Sequence, residues 1–156
     1  MKLRRESVLL VMALMSVFPA VATALTVKID FPDGLNYTMK GILVEKDYWF
    51  TLSPDWFFPA PGRLELRFRH SPILQADLST LTVGMNGSPI DSIYLDAKNL
   101  RDGVMVVSIP PHLLVPNSNR LSVTAKMRSP LKDLCQDVHN PALWTVLERE
   151  SRLEIT

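Results

Sequence analysis

The chain has 156 residues, 47% hydrophobic and 21% charged, which admits one globular domain plus a targeting segment and excludes disorder along the whole length. A formal net charge of +1 gives no electrostatic case for nucleic acid. The single cysteine, Cys135, excludes an internal disulfide, so in an oxidising compartment it is expected to be buried or paired outside the chain.

In chain order, the first element is a targeting signal. Lys2, Arg4 and Arg5 precede an apolar run over residues 8–18, Pro19 breaks it, and Ala22-Thr23-Ala24 supplies the small residues of a cleavage site. This is the layout of a secretory signal peptide over residues 1–24. The run is shorter than the roughly 20 residues a spanning helix needs. Cleavage removes three basic residues and one acid and leaves 14 basic against 15 acidic in the folded domain, residues 25–156.

The rest reads as strands. Residues 25–31 and 41–52 are the first candidates. Residues 53–62, with three prolines and three aromatics, read as an ordered loop. In Gly62-Arg63-Leu64-Glu65-Leu66-Arg67-Phe68-Arg69 the apolar residues alternate with charged ones, which places Leu64, Leu66 and Phe68 on a core face and Arg63, Glu65, Arg67 and Arg69 in water. Leu81, Val83 and Met85 repeat the pattern. Asn86-Gly87 then predicts a tight hairpin into residues 90–95, because both residues tolerate positive φ. Residues 104–109 form a strand stopped by Pro110-Pro111, which offer no N–H to a ladder. Residues 112–116 read as a turn, and Leu121, Val123, Ala125 and Met127 as another core-facing row. A one-turn helix near residues 130–138 and strands at 142–147 and 153–156 complete the chain. Many short strands with turn signals between them predict an all-β, jelly-roll-like antiparallel β-sandwich. The sequence stops inside strand-like residues, so an exposed edge is expected there, and with it a sandwich incomplete at its C-terminus and a chain that is the first piece of something longer.

A search for catalytic chemistry finds little. Cys135 and His139 have the spacing of two metal ligands on a helix, but a zinc site needs three or four, and no metal or other cofactor is expected. There is no G-x-S-x-G elbow and no Gly-rich phosphate loop. Asp77, Asp91, Asp96, Asp102, Asp133 and Asp137 read as solvated loop residues, not a glycosidase pair. The aromatics carry more. Trp49, Trp56, Phe58 and Trp144 are candidate contacts for a sugar, since a flat ring against the C–H face of a pyranose buries apolar surface while leaving the hydroxyls at a polar rim. Core packing is the alternative, strongest for Trp144 between Leu143 and Val146. Trp49 should point away from Tyr48 and Phe50, and Trp56 lies in a loop.

These residues, taken in order, resemble a known family. Tyr48-Trp49-Phe50-Thr51-Leu52-Ser53-Pro54-Asp55-Trp56 is similar to the opening strand of the periplasmic regulatory subunits of bacterial cellulose synthase. Leu64 through Leu74, with its Ser71-Pro72 turn, resembles the next strand, and Leu78-Ser79-Thr80-Leu81-Thr82-Val83-Gly84-Met85-Asn86-Gly87 the hairpin after it. Ile109-Pro110, Leu113-Leu114 and Asn119-Arg120-Leu121 follow, and Cys135-Gln136-Asp137 with Ala142-Leu143-Trp144 and Ser151-Arg152-Leu153 resembles the ending. The resemblance spans about residues 41–156.

The resemblance implies an exported, non-catalytic subunit on the periplasmic side of the inner membrane. It implies a jelly-roll carbohydrate-binding domain at the start, followed by flavodoxin-like and second carbohydrate-binding domains and a C-terminal membrane anchor. The implied partners are the catalytic subunit, which polymerises glucose from UDP-glucose and is activated by cyclic di-GMP, the emerging β-1,4-glucan, and the inner membrane through the anchor. A second copy of the chain stays open as a partner. The resemblance covers only the first domain of that architecture. A purely structural subunit-interaction domain and a truncated fragment are the competing readings, and a glycoside hydrolase with this sandwich a remote third.

Overall fold

The computed structural model describes residues 27–30, 34–56, 58–130 and 137–156; the expected signal peptide, Phe57, Asp133 and Cys135 lie outside them, as does most of the short helix expected near residues 130–138. Among the described residues the strands are β1 (Val27–Asp30), β2 (Tyr37–Lys40), β3 (Leu43–Leu52), β4 (Gly62–His70), β5 (Thr80–Met85), β6 (Ser88–Tyr94), β7 (Gly103–Ile109), β8 (Asn117–Lys126), β9 (Trp144–Leu147) and β10 (Arg152–Ile155), with a 3₁₀ turn over Pro111–Leu113. They form two antiparallel sheets, as the alternation predicts.

In the larger sheet β4 is the axis. One edge pairs with β7 from Gly62 to Phe68. The other edge pairs with β10 through Arg63–Glu65 and with β9 through Phe68–His70. β1 and β2 lie outside β10 and β9. The smaller sheet runs β3–β8–β5–β6. Leu64, Leu66 and Phe68 from the first sheet and Leu81, Val83, Leu121 and Val123 from the second are at most 1% exposed and belong to one continuous core. Each such side chain contributes about 1.5–3 kcal/mol by leaving water. The period of two in the sequence is therefore the physical cause of the two-layer arrangement.

The Asn86-Gly87 hairpin is present, with φ of 51° and 88°. Both values are the left-handed conformation that a tight hairpin turn requires.

Here the structure corrects three expectations and adds one strand. The last strand is not an exposed edge: β10 is enclosed between β1 and β4. β2 is an addition, because four residues beside Gly41 carry too little alternation to register in the sequence. Glu65 is buried, because Arg63, Arg67 and Arg152 gather over its carboxylate at 2.7–3.7 Å. The Arg67 hydrogen bond and the three positive charges outweigh burial and hold that carboxyl below the usual range. Asp137 is no solvated loop residue either. It is fully buried and paired with Arg128 at 3.0 Å.

Candidate functional site

The four aromatics singled out by sequence do not converge on one place. Trp56 and Phe58 come together at one end of the sandwich. Trp49 stands alone on the outer face of the smaller sheet. Trp144 lies on the larger sheet.

The end cleft is built from two loops. β3 delivers Leu52 and Ser53, and the Pro-rich loop after it delivers Trp56 and Phe58. A turn closed by the Trp56 N–H donating to the Ser53 carbonyl fixes the indole's position. The two rings meet edge to face, 5.9 Å between centroids at 86°, a favourable arrangement for their quadrupoles. Trp56 keeps 41% of its surface exposed. The opposite wall is the 3₁₀ turn and its exit, with Pro111, His112, Leu114, Val115 and Pro116. The volume of this open cleft is about 300 Å³, at the small end of ligand sites. The lining is mostly apolar, and Ser53 and the exposed His112 supply polar groups.

That second wall is pinned by two asparagines. The side-chain amide of Asn86 donates to the Leu113 carbonyl (2.7 Å) and to Asn119 Oδ1 (2.9 Å), and its oxygen accepts from the Arg120 N–H. The fully buried Asn119 accepts from the Val115 N–H and donates to the Val115 carbonyl. The hairpin turn thus doubles as a clamp on the cleft. Sequence reading finds Asn86 as a turn residue and Asn119-Arg120 as part of a motif, but misses this positioning role. A polar side chain at a core-facing position of β8 is the available signal.

Trp49 is 67% exposed, whereas its neighbours Tyr48 and Phe50 are 8% and 9% exposed. The strand alternation therefore places it as expected, on the solvent face opposite Arg120 of β8. Trp144 is corrected from core to half-buried. It lines a shallow groove of about 560 Å³ with Arg69, His70, Arg101, Asp102 and Glu148. His70 holds that groove's floor. Its Nδ1 lies 3.0 Å from the Ser71 carbonyl oxygen, and its Nε2 lies 3.1 Å from the Asp96 carbonyl oxygen and 3.0 Å from Asn99 Oδ1. This groove is the larger of the two, but ionic side chains make up half of its lining, and among the described residues Trp144 is its one large aromatic. A pyranose face gains more from the paired rings and apolar wall of the end cleft. Among the described residues no three or more His, Cys, Asp or Glu gather as metal ligands, and no helix is long and apolar enough to cross a membrane.

Comparison with known proteins gives the family. No curated protein sequence matches the chain. Among solved structures, the infectious bursal disease virus Gx strain matches at 15% identity and a TM-score of 0.42, over 83% of this chain and 38% of that one. A family two carbohydrate esterase from Cellvibrio japonicus matches at 19% identity and a TM-score of 0.30, over 84% of this chain and 33% of that one. The chain thus spans about a third of the length of either structure. The family model described as "Cellulose synthase BcsB, first CBM domain" matches residues 26–156. With the two-sheet sandwich and the motif order both in place, the chain belongs to the family of cellulose synthase BcsB first carbohydrate-binding-module domains.

Proposed function

We propose that this domain is a non-catalytic glucan-binding module of a cellulose synthase complex, placed on the periplasmic side of the inner membrane. In this reading it holds the β-1,4-glucan as the chain leaves the catalytic subunit. The observation that carries it is the Trp56–Phe58 pair: an exposed indole held edge-on by a second ring over an apolar cleft, with Ser53 and His112 beside it. The pair suits the apolar face of a glucose ring, and the polar groups suit its hydroxyls. Family membership supports the glucan as ligand and the synthase as the assembly it serves.

Calorimetric titration of the full chain with cellohexaose tests the reading. Binding is expected, and Trp56→Ala should weaken it about tenfold, the equivalent of ~1.4 kcal/mol. An unchanged affinity in Trp56→Ala, with folding intact by circular dichroism, removes the cleft as the ligand site. No binding by the wild-type chain removes the glucan reading and leaves a subunit-interaction domain.

A further inference from the structure

The end cleft has a continuation along the strands that build it. β3 and β8 pair over ten residues, from Leu43 opposite Lys126 to Leu52 opposite Asn117. At one end they enter the cleft through Leu52, Ser53 and Pro116. Going away from it, their solvent face presents Trp49 beside Arg120, then Asp47 beside Ser122, then Glu45 beside Thr124. From Ser53 to Glu45 this line is roughly 27 Å long at the usual strand rise, enough for several pyranose rings.

Its chemistry is that of a site for a neutral polyhydroxyl chain. Arg120 Nη1 stands 3.5 Å from Asp47 Oδ2 and 3.9 Å from Glu45 Oε1, so one cation holds two carboxylates in place and leaves one negative charge uncompensated. Thr124 donates to Glu45 Oε2 at 3.2 Å. Asp47 Oδ1 is closed to solvent, so the roughly one-third of this side chain that stays exposed leaves Oδ2, 3.5 Å from Arg120 Nη1, as the oxygen a hydroxyl can reach. A carboxylate is a strong acceptor for sugar hydroxyls. Next to them, Gly84 lets Ser122 come close: a Cβ there would lie 2.7 Å from the Ser122 hydroxyl oxygen. Beside this face lies a small trough of about 150 Å³, lined by Glu45, Thr82, Gly84, Arg120 and Ser122 among others but not by Asp47 or Trp49. Trp49 supplies a flat platform between trough and cleft. An acidic polymer would meet two carboxylates against one arginine, so charge selects against it.

We propose that the outer face of β3 and β8 is a second subsite for a neutral linear polysaccharide, with Trp49 as stacking platform and Asp47 as hydroxyl acceptor, so that one glucan chain runs from the end cleft along these strands. This deepens the glucan-binding reading and rests on it. The test is calorimetric titration of cellobiose and cellohexaose into the full chain and into Trp49→Ala, Asp47→Ala and Trp56→Ala. Trp49 is exposed and Asp47 about one-third exposed, so both variants should keep the wild-type urea midpoint. Trp49→Ala and Asp47→Ala should each weaken cellohexaose about tenfold, the loss expected for one charge-assisted hydrogen bond or one stacked ring, and leave cellobiose unchanged. Trp56→Ala should weaken both sugars. Unchanged cellohexaose affinity in Trp49→Ala and Asp47→Ala overturns the subsite while the cleft stands. Equal losses for both sugars in those two variants also overturn it, since they place the short ligand on the sheet. Loss in Trp49→Ala and Asp47→Ala with no effect of Trp56→Ala removes the cleft and retains the sheet-face site.

Discussion

Gly103→Ala puts the packing of the larger sheet to a quantitative test. Gly103 opens β7 directly opposite Phe68 of β4. A Cβ on Gly103 would lie 2.6 Å from both Cε2 and Cζ of Phe68 and 2.9 Å from the Asn99 carbonyl oxygen. Carbon atoms rest at about 3.5–4.0 Å, so the overlap is close to 1 Å. Neither neighbour has room to retreat. Phe68 is fully buried. Asn99 is tied by its amide to the Tyr94 carbonyl, and its side-chain oxygen accepts from the Asp96 N–H and lies 3.0 Å from His70 Nε2. Overpacking of this kind costs about 1–3 kcal/mol, and this contact belongs in the upper half. The stiffer unfolded chain returns about 0.4–1 kcal/mol, leaving a net loss of about 2 kcal/mol. In urea, with a slope of about 2 kcal/mol/M, the midpoint should fall by about 1 M. Tryptophan fluorescence follows the transition. In a Phe68→Leu background the same Gly103→Ala step should cost less than half as much, because the ring atoms it strikes are gone. An unchanged midpoint in the wild-type background, or an equal loss in both, would refute the reasoning.

Three further outcomes follow from the charges, the hairpin clamp and the sheet face. Burial pushes the Asp137 carboxyl up, but hydrogen bonds from Ser129 and Arg128 outweigh it and hold the group below the usual aspartate range. The unfolded chain then binds more protons as pH drops through about 4, so the stability Asp137 contributes is present above that pH and lost below it. Thermal melts from pH 7 to pH 3 should show a steeper acid loss in wild type than in Asp137→Asn, and parallel curves would contradict the assignment. Asn86→Ala should cost about 2–4 kcal/mol, combining a left-handed residue with three lost side-chain hydrogen bonds. Asn86→Gly keeps the turn and loses only the clamp, so chemical denaturation should rank it between wild type and Asn86→Ala. Finally, a uronic acid hexamer should bind the full chain at least about tenfold more weakly than cellohexaose in the same titration.

Much of the fold is legible in the sequence because burial and the period of two coincide. Residues 62–69 and 121–127 alternate without interruption, and the structure places their apolar members in the core. The hairpin is legible because Asn86-Gly87 has one cheap conformation. The missed features are those that depend on partners outside the local alternation. Glu65 looks solvent-facing until Arg152 arrives from a strand far along the chain. Asp137 looks like a loop acid until Arg128 and Ser129 close around it. The site is legible as residue types only. Exposure of Trp49 follows from strand alternation and that of Trp56 from its loop. Nothing local in the sequence says that Trp56 and Phe58 share a cleft, that Trp144 sits on the other sheet, or that Asn86 and Asn119 brace the cleft's far wall.

The most direct measurement of the central claim is an amide NMR map of the full chain titrated with cellohexaose. The account predicts progressive shifts at Ser53, Trp56, Phe58, Leu114 and Val115, continuing through Trp49 and Asp47 of β3, while Leu100, Arg101 and Trp144 stay still. Shifts confined to the Trp144 groove, or no shifts at saturating sugar, would contradict it.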